Sequence, residues 1–204
     1  MRGWLIAAVV LLSAAGCAAS SRSGAGQPGE PAAPAARAPH TVVRTFAAYD
    51  GAGRLTVPVA AHRRGYCWSG SVAAPGAHAY RCFAGNTILD PCFAVPGSAD
   101  PRTVACVADP WSPATVLRLT KRLPAATPSP AAPQPWAIVL AGGTRCVAST
   151  GTAPAVDGIN LPYGCRDHTA AALLDRPGAL RQAYAAAPTA ATVRLVAVRV
   201  LWRA

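Results

Sequence analysis

The chain has 204 residues, a formal net charge of +11, seven cysteines, and 52% hydrophobic against 13% charged residues. A mean hydropathy of +0.26 with so few charges excludes wholesale disorder. The absence of any apolar run of roughly 18 residues excludes a multi-pass bundle of membrane helices. The length suits one domain, and the odd cysteine count does not suit a scaffold built from disulfides alone.

Met1 to Gly16 carries a positive start, an apolar stretch and a small-residue exit, the grammar of a secretory signal. Ala14-Ala15-Gly16 before Cys17 resembles the bacterial lipobox, so residues 1–16 read as a lipoprotein signal peptide and Cys17 as the lipidation site. The competing reading is ordinary cleavage near Ala19, with Cys17 discarded. Residues 17–39 then form a lipidated Cys and a flexible tether, because Ala, Ser, Gly and Pro dominate and Glu30 is the only acid. An acylated Cys places the protein on the extracytoplasmic face of the cell membrane, with two or more chains holding stably where one is marginal. Secretion is the alternative.

Residues 40–204 read as an all-β domain, a disulfide-stapled small sandwich or barrel, because Pro or Gly recurs every few residues between β-branched runs. Thr41 to Ala48 and Leu55 to Val59, flanking Asp50-Gly51-Ala52-Gly53, predict a hairpin. Helix is the other reading of the first run, because Val42, Phe46 and Tyr49 also fit helical spacing. Val116 to Leu119 predicts a short strand. Pro124 to Pro135 predicts a proline-rich loop within the domain, the other option being a linker between two domains. Trp136 to Ala141 and Thr144 to Val147 predict a second hairpin. A two-residue Gly142-Gly143 turn would put Val139 opposite Cys146 and Leu140 opposite Arg145. Ala179 to Ala186 leans to strand over helix. Thr192 to Trp202 is the strongest strand, apolar on both faces, and so is expected to be covered on both.

Assigning Cys17 to lipid leaves the even set Cys67, Cys82, Cys92, Cys106, Cys146 and Cys165. Export makes disulfides their default state. Zinc is disfavoured, since no two of them form a Cys-x₂₋₄-Cys pair, and no metal or other cofactor is expected. Six cysteines allow 15 pairings. The sequential scheme, Cys67 with Cys82, Cys92 with Cys106 and Cys146 with Cys165, is the one expected, because each bridge closes a short loop containing Gly or Pro.

Gly65-Tyr66-Cys67-Trp68-Ser69-Gly70-Ser71, Tyr80-Arg81-Cys82, Ile88 to Phe93, Trp136-Ala137 and Tyr163-Gly164-Cys165 together resemble a group of secreted or lipid-anchored actinobacterial proteins. Some members of that group carry the domain outside a membrane-attached kinase. The resemblance covers most of residues 65–202. It implies an exported, disulfide-bonded, β-rich chain and supplies no reaction.

Chemistry is sparsely signalled. A secreted or surface Ser/His/Asp hydrolase would draw on His40, His62, His78 or His168 with Ser69 or Ser71, but no Gly-x-Ser-x-Gly elbow exists. Asp167-His168 reads as an exposed loop and Asp90-Pro91 as a turn. Trp68 and Trp111 suit either a ligand groove or packing against the bridges. The basic residues Arg63, Arg64, Lys121, Arg122 and Arg145 are candidates for binding an anionic cell-wall polymer or lipid head groups. Nucleic acid is not expected, because the arginines lack interleaved aromatics or a recognition motif. The expectation is a noncatalytic envelope lipoprotein module, with the hydrolase as the alternative.

Overall fold

The computed structural model describes residues 39–99, 101–125, 134–176 and 178–204. The signal segment, Cys17, the tether up to residue 38 and most of the proline-rich stretch therefore lie outside the described residues. From Ala38 onward the chain forms one compact unit. Every regular element described is a strand: β1 Val42–Thr45, β2 Val59–Gly70, β3 Ala79–Ala84, β4 Thr87–Ala94, β5 Thr103–Cys106, β6 Ala114–Leu119 and β7 Ala137–Leu140 come first. β8 Arg145–Ala148, β9 Ala155–Val156, β10 Ile159–Asn160, β11 Tyr163–Cys165, β12 Ala170–Leu173, β13 Gln182–Ala186 and β14 Arg194–Arg203 follow.

Apart from β9 and β10, which pair only with one another, these strands make two rings. β2 to β6 close into a barrel, with β2 antiparallel to β3 and parallel to β6. β7, β8, β11, β12, β13 and β14 form a second ring, closed where β14 pairs with β7, and β1 lies parallel to β14. Closure leaves few open sheet edges, which explains how so many short strands remain paired.

Each ring has its own core. Tyr80, Cys82, Cys92, Val104 and Leu117 fill the first, and Ile138, Leu140, Cys146, Tyr163, Val198 and Leu201 fill the second. A third cluster joins them: Trp136, fully buried, meets Phe46 and Phe93 edge-on at centroid distances of 4.9 and 5.9 Å. Around it lie Ala48, Ala73, Ala74, Ala79, Ala105 and Ala114. The high alanine content thus has a packing role, since small side chains let the two sheets approach the large ring closely.

The rings also share a local plan. Cys67, Ser69, Pro75 and Tyr80-x-Cys82 occur in the same order as Cys146, Ser149, Pro154 and Tyr163-x-Cys165. In both, the cysteines sit opposite one another on antiparallel neighbours and the Tyr is buried. The Ala114-Thr115-Val116 start of β6 is matched by Ala191-Thr192-Val193 before β14. The bridges are Cys67–Cys82, Cys92–Cys106 and Cys146–Cys165, the sequential set.

Several local expectations need correction. The Asp50 turn closes only a short antiparallel pairing, Tyr49 with Leu55 and the Thr56 N–H on the Ala48 carbonyl, since β1 leaves for β14 and β2 for β6. In the later hairpin Ile138, not Val139, opposes Cys146, and Val139 opposes Arg145. The Leu140 N–H donates to the Thr144 carbonyl, so the loop is Ala141-Gly142-Gly143, with both glycines near φ +90°. A three-residue loop with positive φ shifts the register by one relative to a two-residue turn. Asp90-Pro91 is no turn: both lie inside β4, joined by a cis peptide, and together oppose the single residue Arg81. Such a bulge is where a sheet tolerates proline. β14 is not covered on both faces, because Leu195 and Arg199 are exposed, and a register shift between Val198 and Val200 breaks its alternation.

Candidate functional site

The outer face of the first barrel carries a basic groove. β2 supplies His62, Arg63 and Arg64, β6 supplies Val116 and Arg118, and β5 supplies Thr103; together they line about 440 Å³. Register brings Arg64, Arg118, Thr103 and His62 together, whereas Arg63 lies opposite the buried Leu117 and borders the groove from the alternate pleat. Arg64 lies opposite Arg118, which lies opposite Thr103, making one row across three strands, while His62 opposite Val116 forms the next row. The charged members are exposed, and the buried Leu117 and Val104 on these strands turn inward to the core. Among the described residues no carboxylate lines the groove. Among the same residues, Asp50 pairs with Arg54, Asp90 with Arg81 and Asp109 with Arg166, all away from the groove.

Only Arg63 and Arg64 of the five basic residues singled out from sequence line this groove. Lys121 lies 4.2 Å over the Tyr66 ring, Arg122 borders a separate depression with Leu123, and Arg145 lies over Trp111 on the second ring. Sequence reasoning missed His62 and Arg118 as partners. The signal for Arg118 was its place in an alternating Val-Leu-Arg-Leu run, but joining it to Arg64 required the parallel β2–β6 pairing.

Beside the groove runs an aromatic ladder. Trp68 stacks on Phe83 at 4.2 Å, and Phe83 meets Tyr66 at 5.7 Å. Its ends are capped by cations, Arg81 over Trp68 and Lys121 over Tyr66. With these ring faces occupied, Trp68 stabilises the sheet through cross-strand stacking and cation–π contact rather than offering a free stacking face.

The buried polar centre of the first barrel is Asp90, whose side chain is 1% exposed. It accepts hydrogen bonds from the Ser71 hydroxyl and the Val72 N–H, and Arg81 Nε lies 3.6 Å away. Burial nevertheless pushes its carboxyl above the ordinary aspartate range, the opposing hydrogen bonds and Arg81 being weaker. Arg81 also donates to the Thr150 carbonyl at 2.9 Å, tying β3 to the loop after β8. A cavity of about 380 Å³ adjoins this node, bordered by Leu89, Asp90, Thr115, Ala148 and Ser149.

Ser71 therefore binds a carboxylate, and its oxygen also accepts from the Ala74 N–H. Among the described residues no histidine ring hydrogen-bonds to a serine, threonine or carboxylate. Asp167 is held by Thr169 and Thr144, which keep its carboxyl below the usual range, and His168 adopts φ 63° in the same loop. The sulfurs of Cys82, Cys92 and Cys106 lie within 4.8 Å of one another in the core, as members of two bridges.

No family model, curated protein or solved structure matches this chain.

Proposed function

We propose that this chain is an exported, lipid-anchored cell-envelope protein whose β module is noncatalytic and holds an anionic envelope component in the groove of the first barrel. The observation that carries this reading is that Arg63, Arg64, Arg118 and His62 line one groove on which, among the described residues, no carboxylate lies. Such a surface concentrates anions and is weakened by salt. The three buried disulfides support an oxidising compartment. They also consume every cysteine after Cys17, which leaves that residue for acylation, and the motif resemblance to lipid-anchored actinobacterial proteins points the same way. The hydrolase alternative needs a histidine paired with its nucleophile, and the Ser71–Asp90 pair has none.

Two measurements test the reading. Retention of the oxidised protein on a polyanionic matrix should fall with added salt and weaken in the Arg63→Ala plus Arg64→Ala variant; salt-independent retention removes the anion-binding role. Intact mass of the mature protein should show an acylated Cys17 and a deficit of six hydrogens. An unmodified start at Ala18 or beyond removes the anchor.

A further inference from the structure

The geometry points to a phosphodiester as the anion this groove selects, with Arg118 and Thr103 as the residues that discriminate it from a carboxylate. The inference rests on the anion-binding reading and adds a ligand class to it.

Arg64 and Arg118 face one another on neighbouring strands about 4.8 Å apart. Like charges so placed repel, and among the described residues no carboxylate lines the groove to relieve them. Each guanidinium presents a planar fork that takes two acceptor oxygens, and a bound oxyanion between them turns the repulsion into two attractions. Thr103 extends the same row with a hydroxyl on the third strand, and His62 flanks it one pleat along β2. The donors thus come from three adjacent strands, spread along one row of the sheet. A carboxylate accepts in one plane, whereas the oxygens around phosphorus are tetrahedral and accept from such a spread.

The rest of the lining favours the diester over free phosphate. Val116, the Thr103 methyl and the aliphatic stems of the arginines give an open groove an apolar floor beside its charges. A phosphodiester carries one charge per phosphorus with an alkyl segment on each side, matching a cation row bordered by apolar surface. A compact dianion has nothing to place on that floor.

The test titrates the purified, oxidised protein with a soluble glycerol phosphate oligomer and with polyglutamate of equal charge, at one fixed salt concentration. The wild type should bind the phosphodiester about tenfold more tightly, which corresponds to 1.4 kcal/mol. Arg118→Lys keeps the charge but loses the fork, and Thr103→Val keeps the shape but loses the hydroxyl. Each should bring the two ligands close to parity while salt sensitivity persists. Arg64→Lys is the second fork variant should Arg118→Lys fail to fold. Phosphatidylglycerol vesicles run as a separate arm; binding there that is lost with Arg118→Lys supports the cradle and identifies a headgroup as its source. Equal wild-type affinity for both polymers, or a preference unchanged in folded Arg118→Lys, overturns the inference and leaves general anion binding standing. Failure of the wild type to bind any anionic probe overturns the underlying reading instead.

Discussion

Replacing Gly65 by alanine probes the point on which the first barrel turns. Up to Gly65, β2 runs parallel to β6, with Gly65 opposite Leu119; from Tyr66 it pairs antiparallel with β3. The Gly65 carbonyl holds the chain there by accepting from both the N–H and the hydroxyl of Thr120. A Cβ at this position would lie 1.9 Å from the Phe83 carbonyl oxygen and 2.9 Å from Leu117 Cδ1. The first distance falls about 1.5 Å short of the 3.4 Å at which ordinary contact begins. The obstructing atom is backbone in a paired strand and cannot rotate away, so the substitution separates β2 from β3. Overpacking of this kind costs about 1–3 kcal/mol, and displaced backbone puts Gly65→Ala at the upper end, about 3 kcal/mol. For a domain of this size that lowers Tm by roughly 6–12 °C. Gly51→Ala is the control, since nothing lies within 4 Å of its added methyl; it should stay within about 0.5 kcal/mol of wild type. Calorimetry of the oxidised protein decides. A Gly65→Ala transition within the error of the Gly51→Ala transition would refute the steric argument and the strand switch at this residue.

Three further outcomes are expected. Exchanging Cys146 and Cys165 together for serine reopens a sequence separation of 19 residues and should cost about 3 kcal/mol in denaturant unfolding; a loss below 1 kcal/mol would show that the bridge adds little to the second ring. Asp90→Ala strands Arg81 and the Ser71 hydroxyl in a buried site and should cost about 3–5 kcal/mol, with Asp90→Asn milder. Because burial raises the folded-state pKa of Asp90, its contribution is fully present below the unfolded value and is lost as pH rises through the folded one. The Tm gap between wild type and Asp90→Asn should therefore widen as pH is lowered from neutral toward the unfolded aspartate range, and a gap that narrows contradicts the assignment. Tyr163, buried and donating to the Pro135 carbonyl at 2.7 Å, has its phenol pushed up to about 12. The folded chain should then lose stability as pH climbs from the ordinary tyrosine value toward that figure, a loss smaller in Tyr163→Phe, where burial still raises Tyr49; that variant itself costs about 1–3 kcal/mol for the orphaned carbonyl. Tyrosinate absorbance followed alongside unfolding checks both.

What could be read in the chain was what depends on near neighbours. Turn residues between β-branched runs identified an all-β fold, and short loops between cysteines identified the three bridges, because closing a loop of fewer than twenty residues is a local event. The correspondence between the two rings was also present in the order Cys, Ser, Pro, Tyr-x-Cys, but unequal loop lengths obscure it, and the matching cysteine pairings bring it out. Register was less legible. Two adjacent glycines permit a two- or a three-residue loop equally, and only the Leu140–Thr144 hydrogen bond separates them.

The basic site shows the same boundary. The sequence by itself determined an arginine-rich, acid-poor chain and placed Arg63 beside Arg64. It contained nothing to set Arg118, more than fifty residues away, against Arg64, or to send Arg145 to the other ring. Parallel pairing joins strands through a long connection, so the partners share no sequence neighbourhood. Composition therefore determined how much positive charge the protein carries, whereas only the tertiary structure decided that three of its arginines line one groove.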